Sequence, residues 1–125
     1  MARILLVEDD ALLRKIVSGT LESVGHHVIE AENGAAGLRK FGKEHCDLII
    51  TDILMPVKEG LETIVELRAI NGQVPILAMS GGGSVGTNQC LLFARKLGAS
   101  ATIVKPFTAA ELVEVVEKLV GSAKP

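Results

Sequence analysis

Five side chains that could handle a phosphoryl group come just after short apolar runs of the sequence. They comprise three acids, one hydroxyl and one amine, namely Glu8, Asp9, Asp52, Ser80 and Lys105. Carboxylates brought close together raise each other's pKa unless a cation lies between them. Oxygen ligands without nitrogen or sulfur favour a hard cation such as Mg²⁺, and an amine and a hydroxyl can hold the oxygens of an anion. The set therefore suits the transfer of a phosphoryl group onto a carboxylate.

Asp52 is the best candidate for the nucleophile, because it is the lone carboxylate at the end of the strand expected in the middle of the sheet. Glu8 and Asp9 follow the first apolar run, and the neighbouring Asp10 is expected to lie in a solvated turn or to cap a helix. An amine at Lys105 could neutralise Asp52 or hold an anion attached to it.

Five apolar runs recur along the chain, and each is followed by a segment with helical periodicity. The runs cover residues 4–7, 28–29, 48–50, 76–79 and 101–104. Four of them are almost entirely apolar, which is typical of strands covered on both faces. The second leads into Glu30-Ala31-Glu32 and is more polar, which favours an edge strand.

Capping residues mark the ends of the helices between these runs. Gly25 stands where a helix commonly ends in a left-handed residue, and Asn33 is a predicted N-cap. Thr108 with Glu111 three residues later forms a capping box. Gly121 is the predicted end of the last helix.

The alternation predicts an α/β fold with an open, doubly wound parallel sheet of five strands. A closed eight-unit barrel would need about twice the length of 125 residues. In an open sheet of this class, ligands bind beyond the carboxyl ends of the strands. The five chemically active side chains should therefore meet at one edge of the sheet.

Composition excludes several other classes of protein. The net charge is −2, Trp and Tyr are absent, and the only aromatic residues are three Phe, so we expect no nucleic-acid partner. No apolar run is long enough to span a membrane, so we expect no membrane partner. Cys46 and Cys90 lack a second ligand at metal-site spacing, and His26 and His27 should point apart. Without an export signal we expect a cytoplasmic protein.

The motifs in combination resemble a response-regulator receiver domain of two-component signalling. The segments that carry the resemblance are Val7–Asp10, Thr51–Pro56 with Gly60, Ser80 after its apolar run, and Val104–Phe107. They cover essentially the whole chain, so that residues 1–121 would be the receiver domain and 122–125 a C-terminal tail. The resemblance implies a flavodoxin-like sheet with strand order 2-1-3-4-5 and five helices on its two faces.

The resemblance also implies a role for each acid. Asp52 would be phosphorylated by a histidine kinase or a histidine phosphotransfer protein. Asp9 and Asp52 would bind Mg²⁺ directly, and Glu8 would act mainly through water. The main-chain carbonyl of Leu54 would supply another ligand.

The remaining implied roles concern the last two strands. Lys105 would pair with Asp52 and then with the phosphoryl group, and the peptide before Pro106 would be cis. Ser80 would donate a hydrogen bond to a phosphoryl oxygen in the active state. Most receivers carry an aromatic residue where this chain has Thr102, so a switch here would couple Ser80 with Thr102 and no ring could rotate.

Three functions are consistent with this pattern. The first is a single-domain response regulator that hydrolyses its phosphoryl group slowly, is no enzyme in the usual sense, and contacts an unknown downstream protein through residues 91–97 and 108–119, since no output domain follows Gly121. The second is a receiver-like binding module that acts without phosphorylation. The third is an enzyme of the same topology, which the absence of a second acid after Asp52 and of Trp and Tyr disfavours.

Overall fold

Strands and helices alternate along the chain, as the sequence predicts. The computed structural model describes residues 2–53, 60–81 and 87–123. The elements in chain order are β1 (Arg3–Val7), α1 (Ala11–Ser23), β2 (His27–Ala31), α2 (Gly34–Lys43), β3 (Leu48–Asp52), α3 (Gly60–Ile70), β4 (Ile76–Gly81), α4 (Thr87–Leu97), β5 (Ala101–Lys105) and α5 (Ala109–Ala123). None of the helices in these described ranges is both long enough and apolar enough to cross a bilayer.

The five strands form one parallel sheet in the order β2-β1-β3-β4-β5. This confirms the predicted order and places β3, with Asp52 as its last residue, at the centre. Asp52 pairs with Met79 of β4, and the next residue, Ser80, pairs with Val104 of β5. The register thus brings the ends of β3, β4 and β5 to one edge of the sheet.

Both faces of the sheet are covered, and alternate residues of β1 contribute to opposite sides because strand side chains alternate in direction. Leu5 and Val7 belong to one apolar cluster, whereas Ile4 and Leu6 belong to the other. All four side chains are fully buried, and burial of each stabilises the fold by about 1.5–3 kcal/mol. The site therefore lies at the end of a rigid, doubly covered strand.

The caps predicted at Asn33, Thr108 and Gly25 are confirmed in the structure, and Asp10, for which a solvated turn was the alternative, caps a helix. The Asp10 carboxylate accepts hydrogen bonds from the amides of Leu12 and Leu13, and the Asn33 side chain accepts one from Ala36. In the capping box, the Thr108 amide donates to Glu111 at 2.8 Å, and the Glu111 amide donates to the Thr108 hydroxyl at 3.0 Å. Gly25 has a positive φ of 98° after α1, as its C′ position requires.

The predicted end of the last helix is wrong by two residues. Helix α5 runs through Gly121 to Ala123, so the boundary expected between the domain (1–121) and the tail (122–125) falls inside its last turn. Among the described glycines, Gly25 and Gly98 have positive φ, and Gly121 does not. A glycine that keeps helical dihedrals costs only about 1 kcal/mol relative to alanine, which is not enough to end a helix that is otherwise packed.

Strand β5 is less buried than its apolar sequence predicts. Because β5 is an outer strand of the sheet, its residues are partly exposed, and Val104 is 43% exposed. An apolar run distinguishes poorly between a central strand and an outer one.

Gly60 lies against the end of β3, and this close approach yields a test of the fold. A Cβ at position 60 would lie 2.1 Å from Ile53 Cα and 2.2 Å from the Asp52 carbonyl oxygen. We expect Gly60→Ala to lower the free energy of unfolding by about 1–3 kcal/mol or more, because displacing backbone atoms costs more than moving a flexible side chain.

Gly19→Ala is the matched control, since a Cβ there has nothing within 4 Å inside helix α1. It should raise the free energy of unfolding by about 0.5–1 kcal/mol. Urea unfolding of both variants measures the difference. Equal stability of Gly60→Ala and the wild type would contradict the described packing.

Candidate functional site

The ammonium group of Lys105 connects two buried carboxylates at the edge of the sheet. Its Nζ donates to Asp52 Oδ2 at 2.7 Å and to Glu8 Oε1 at 3.0 Å. The Glu8 and Asp52 residues are only 1% and 5% exposed, whereas the Lys105 side chain is 21% exposed. The structure thus joins three of the predicted site residues, from the ends of β1, β3 and β5.

Asp9 completes an acidic cluster with Glu8 and Asp52. One carboxylate oxygen from each residue lies within 4.8 Å of the others, and Asp9 is the exposed member. With all groups ionised, three carboxylates and one ammonium leave an excess of two negative charges. An oxygen-only donor set with this charge fits a hard divalent cation such as Mg²⁺.

Burial dominates the protonation of Glu8. It raises the pKa of the Glu8 carboxyl from 4.5 to about 7, because the charged form loses its hydration. Hydrogen bonds from the Asp10 amide and from Lys105 act in the opposite direction, while the charge of Asp52 raises the pKa further. With a pKa of about 7, the Glu8 carboxyl can be neutral or charged near neutral pH. A proton, an ammonium group or a metal ion can each compensate its negative charge.

Lys105 responds to the same surroundings in the opposite sense. Burial alone would lower the pKa of its ammonium group, but the hydrogen bonds and charge attraction of Asp52 and Glu8 outweigh burial and raise it above its ordinary value. Lys105 is consequently a permanent cation at neutral pH.

Ser80 is fully buried one residue beyond the position on β4 that pairs with Asp52. Within the residues that the structure describes, nothing hydrogen-bonds its Oγ atom. A buried hydroxyl without a partner costs about 1–3 kcal/mol. The position is therefore suited to a hydroxyl that gains an acceptor in another state of the protein.

Thr102 lies on the same face of the sheet as Ser80. It pairs with Ala78, two residues before Ser80 on β4, and residues two apart on a strand point the same way. The Lys105–Pro106 peptide is cis, the conformation that the resemblance implies at this position. Leu54, the expected source of a carbonyl ligand, lies outside the described residues.

A family model described as the response regulator receiver domain matches residues 4–117. The chain belongs to this family. Receiver domains are signalling domains of two-component systems whose general function is to accept a phosphoryl group from a histidine kinase. The match covers both the sheet and the acidic cluster.

Curated relatives of this receiver domain include proteins of similar length and longer ones. The chain is 35% identical over 117 residues to the chemotaxis protein CheY of Bacillus subtilis, covering 93% of this chain and 95% of CheY. It is 32% identical to the response regulator receiver protein CpdR of Brucella abortus, covering 98% of this chain and all of CpdR. By contrast, it spans only 42% of the probable transcriptional regulator ycf27 of Guillardia theta.

Solved structures agree with this fold. A CheY-like receiver domain protein from Methanospirillum hungatei superposes with a TM-score of 0.90 at 27% identity, covering 98% of this chain and 96% of that one. The chemotaxis protein CheY4 of Vibrio cholerae gives a TM-score of 0.86 at 32% identity, with coverage of 95% and 98%.

Two residues that the sequence patterns did not single out lie behind the acidic loop of this receiver domain, Glu8–Asp10: Arg14 contacts the loop, and Glu30 contacts Arg14. Arg14 of α1 donates from Nη1 to the Glu8 carbonyl oxygen at 2.8 Å. Its Nε lies 3.3 Å from Glu30 Oε1 on β2. A basic residue one turn into the helix after an acidic loop was the only available signal, and it does not identify Glu30 as the partner.

Proposed function

We propose that this receiver domain accepts a phosphoryl group on Asp52 from the phosphohistidine of a histidine kinase or histidine phosphotransfer protein, in a Mg²⁺-dependent reaction in the cytoplasm. The single observation that supports this is the Lys105 ammonium between Asp52 and Glu8, at 2.7 Å and 3.0 Å. An ammonium group held against a buried carboxylate is positioned to balance charge as a phosphoryl group arrives.

The reaction makes one bond and breaks one. An Asp52 carboxylate oxygen attacks phosphorus, an acyl phosphate forms, and the nitrogen–phosphorus bond of the donor breaks. The donor imidazole, which carries a proton on its other ring nitrogen, leaves with the electron pair of that bond as a neutral ring. Lys105 would pair first with Asp52 and then with the phosphoryl group, and would provide a positive charge for the oxygens of that group.

The acidic cluster supplies the ligands for the metal. Asp9 and Asp52 would bind Mg²⁺ directly, Glu8 would act mainly through water, and the carbonyl of Leu54 would add a ligand. When bound, Mg²⁺ neutralises charge on the acceptor and on the phosphoryl oxygens. The chain itself contributes the arrangement of the ligands. One carboxylate oxygen each from Glu8, Asp9 and Asp52 lies within 4.8 Å of the others.

Output would depend on the hydroxyl groups beside the acceptor. A phosphoryl oxygen would give Ser80 Oγ an acceptor, whereas in the described structure it has none. This differential contact can shift the balance between two conformations by about 1–3 kcal/mol. Thr102 would transmit the change along β5, and a downstream protein would read it at residues 91–97 and 108–119.

Intact-mass measurement after incubation with acetyl phosphate and Mg²⁺ tests the acceptor. We expect the wild type to gain one phosphoryl group and Asp52→Asn to gain none, since the amide lacks a nucleophilic carboxylate oxygen. Excess EDTA should abolish the gain in the wild type. Asp9→Asn is the matched control, because it removes one acid of the cluster and leaves the acceptor in place; it should be modified more slowly.

Modification of Asp52→Asn to the same extent as the wild type would overturn the assignment. A wild type that gains nothing from acetyl phosphate or from a phosphorylated histidine phosphotransfer protein would instead favour a binding module that acts without phosphorylation.

A further inference from the structure

Arg14 connects three parts of the molecule behind the acidic loop. It extends from α1, donates to the Glu8 carbonyl oxygen at 2.8 Å, and pairs with Glu30 on β2 at 3.3 Å. Its side chain is 17% exposed, and that of Glu30 is 27% exposed. A half-buried guanidinium with two acceptors holds those acceptors at a fixed separation, because its planar donor geometry fixes the direction of each hydrogen bond.

The acidic loop is otherwise held at only a few points. The Glu8 amide donates to the Ala31 carbonyl at 3.0 Å, and the Asp10 amide donates to Glu8 Oε2 at 3.1 Å. Arg14 takes the remaining polar group of the Glu8 main chain, its carbonyl oxygen. The next residue along the chain is Asp9, whose carboxylate is exposed.

We propose that Arg14 is a positioning residue for the metal ligands Glu8 and Asp9, and that Glu30 holds Arg14 in place from the neighbouring strand. This inference rests on the proposed function, since it assumes that the acidic cluster binds Mg²⁺. Groups that orient metal ligands from behind commonly change metal affinity about 10–100-fold when they are removed.

Simple electrostatics predicts the opposite result, which makes the inference testable by its sign. Removing a cation near a divalent-ion site lowers the repulsion of the ion and should tighten its binding. Loss of a positioning contact should weaken binding in spite of that gain.

Lys15 provides a matched control on the same helix. Its Nζ lies 3.3 Å from the other oxygen of Glu30, yet its side chain is 72% exposed, and its described polar contact is with Glu30 alone. Lys15→Met therefore removes one cation from the same acid without removing a contact to Glu8.

The experiment measures Mg²⁺ affinity by isothermal titration calorimetry for the wild type, Arg14→Met, Lys15→Met and Glu30→Gln, with urea unfolding to verify folding. We expect Arg14→Met to weaken binding about 10-fold, Glu30→Gln to weaken it by a smaller factor, and Lys15→Met to leave it within twofold of the wild type. The Mg²⁺ concentration for half-maximal phosphorylation should rise by the same factor as the dissociation constant. The rate at saturating Mg²⁺ should stay close to that of the wild type.

Equal or tighter Mg²⁺ binding by Arg14→Met overturns the inference. If Arg14→Met does not unfold cooperatively, Arg14→Gln decides, because it also removes the cation and the contact to Glu8: weaker binding supports the inference, and equal or tighter binding overturns it. If the wild type binds no Mg²⁺, the proposed function itself is refuted. If the wild type binds Mg²⁺ but no better than Arg14→Met does, only the role of Arg14 is refuted.

Discussion

Lys105→Met is expected to lower the free energy of unfolding by about 3–5 kcal/mol in metal-free buffer at pH 8. The ammonium group is the described counter-charge between Glu8 and Asp52, which are 1% and 5% exposed. Methionine keeps most of the aliphatic length, so packing is largely preserved. What remains is a pair of buried carboxylates that have lost the ammonium group between them.

Two further measurements separate this effect from ordinary loss of packing. At pH 5 the loss should shrink, because one carboxyl of the pair can take up a proton. Saturating Mg²⁺ should restore part of the loss, since a ligand that binds only the folded state stabilises it.

Lys15→Met removes a surface cation from a pair in which the lysine side chain is 72% exposed, and it should cost less than about 1 kcal/mol. A loss below about 1 kcal/mol for Lys105→Met at pH 8 would show that water, and not Lys105, compensates the cluster.

The convergence of Glu8, Asp52 and Lys105 could be predicted from sequence because the geometry of parallel sheets restricts it strongly. Each of these residues closes or follows an apolar strand, and in a parallel sheet all such ends lie on one edge. The cap at Asn33 was predictable for a related reason, since a short polar side chain just before an amphipathic helix commonly accepts a hydrogen bond from one of its first amides.

The contacts behind the site could not be predicted in the same way. Arg14 reaches Glu30 across the pairing of β1 with β2, and several exposed acids of the chain were equally plausible partners. The bridge from Lys105 to Glu8 was also missed, because the resemblance pairs Lys105 with Asp52. Long side chains have many rotamers, so their partners are decided by packing that no periodicity encodes.

The acidic cluster concentrates negative charge in a buried position, and this affects both its protonation and its affinity for a cation. Glu8 and Asp52 are buried within 4.8 Å of each other and of Asp9, and Lys105 compensates one of the three charges. A proton on Glu8 can compensate a second charge, and a divalent cation can compensate both of the charges that remain. Proton uptake and metal binding therefore compete for the same excess charge.

Glu8 should make the metal-free protein less stable as the pH rises. Its pKa is 4.5 in the ordinary state and about 7 in the fold. Between these values the folded protein holds a proton that the unfolded chain has released, so stability falls with increasing pH. Below pH 4.5 both states are protonated, and above pH 7 neither is, so the contribution is constant outside this window.

The magnitude follows from about 1.4 kcal/mol for each unit of pKa difference. From pH 5 to pH 8 the Glu8 carboxyl should remove about 2.5 kcal/mol of stability. Urea unfolding across this range, with EDTA present, measures the total slope. Glu8→Gln carries no titrating group at this position, so the difference between the two curves isolates Glu8.

The sign of that difference distinguishes two states of the carboxyl. If Lys105 compensated Glu8 fully, the pKa of Glu8 would fall below its ordinary value, and the wild type would gain stability relative to Glu8→Gln as the pH rises. A loss indicates instead that burial dominates and that the Lys105 ammonium is shared with Asp52, which it contacts at the shorter distance of 2.7 Å. A flat difference curve would show that Glu8 is hydrated in solution and not buried.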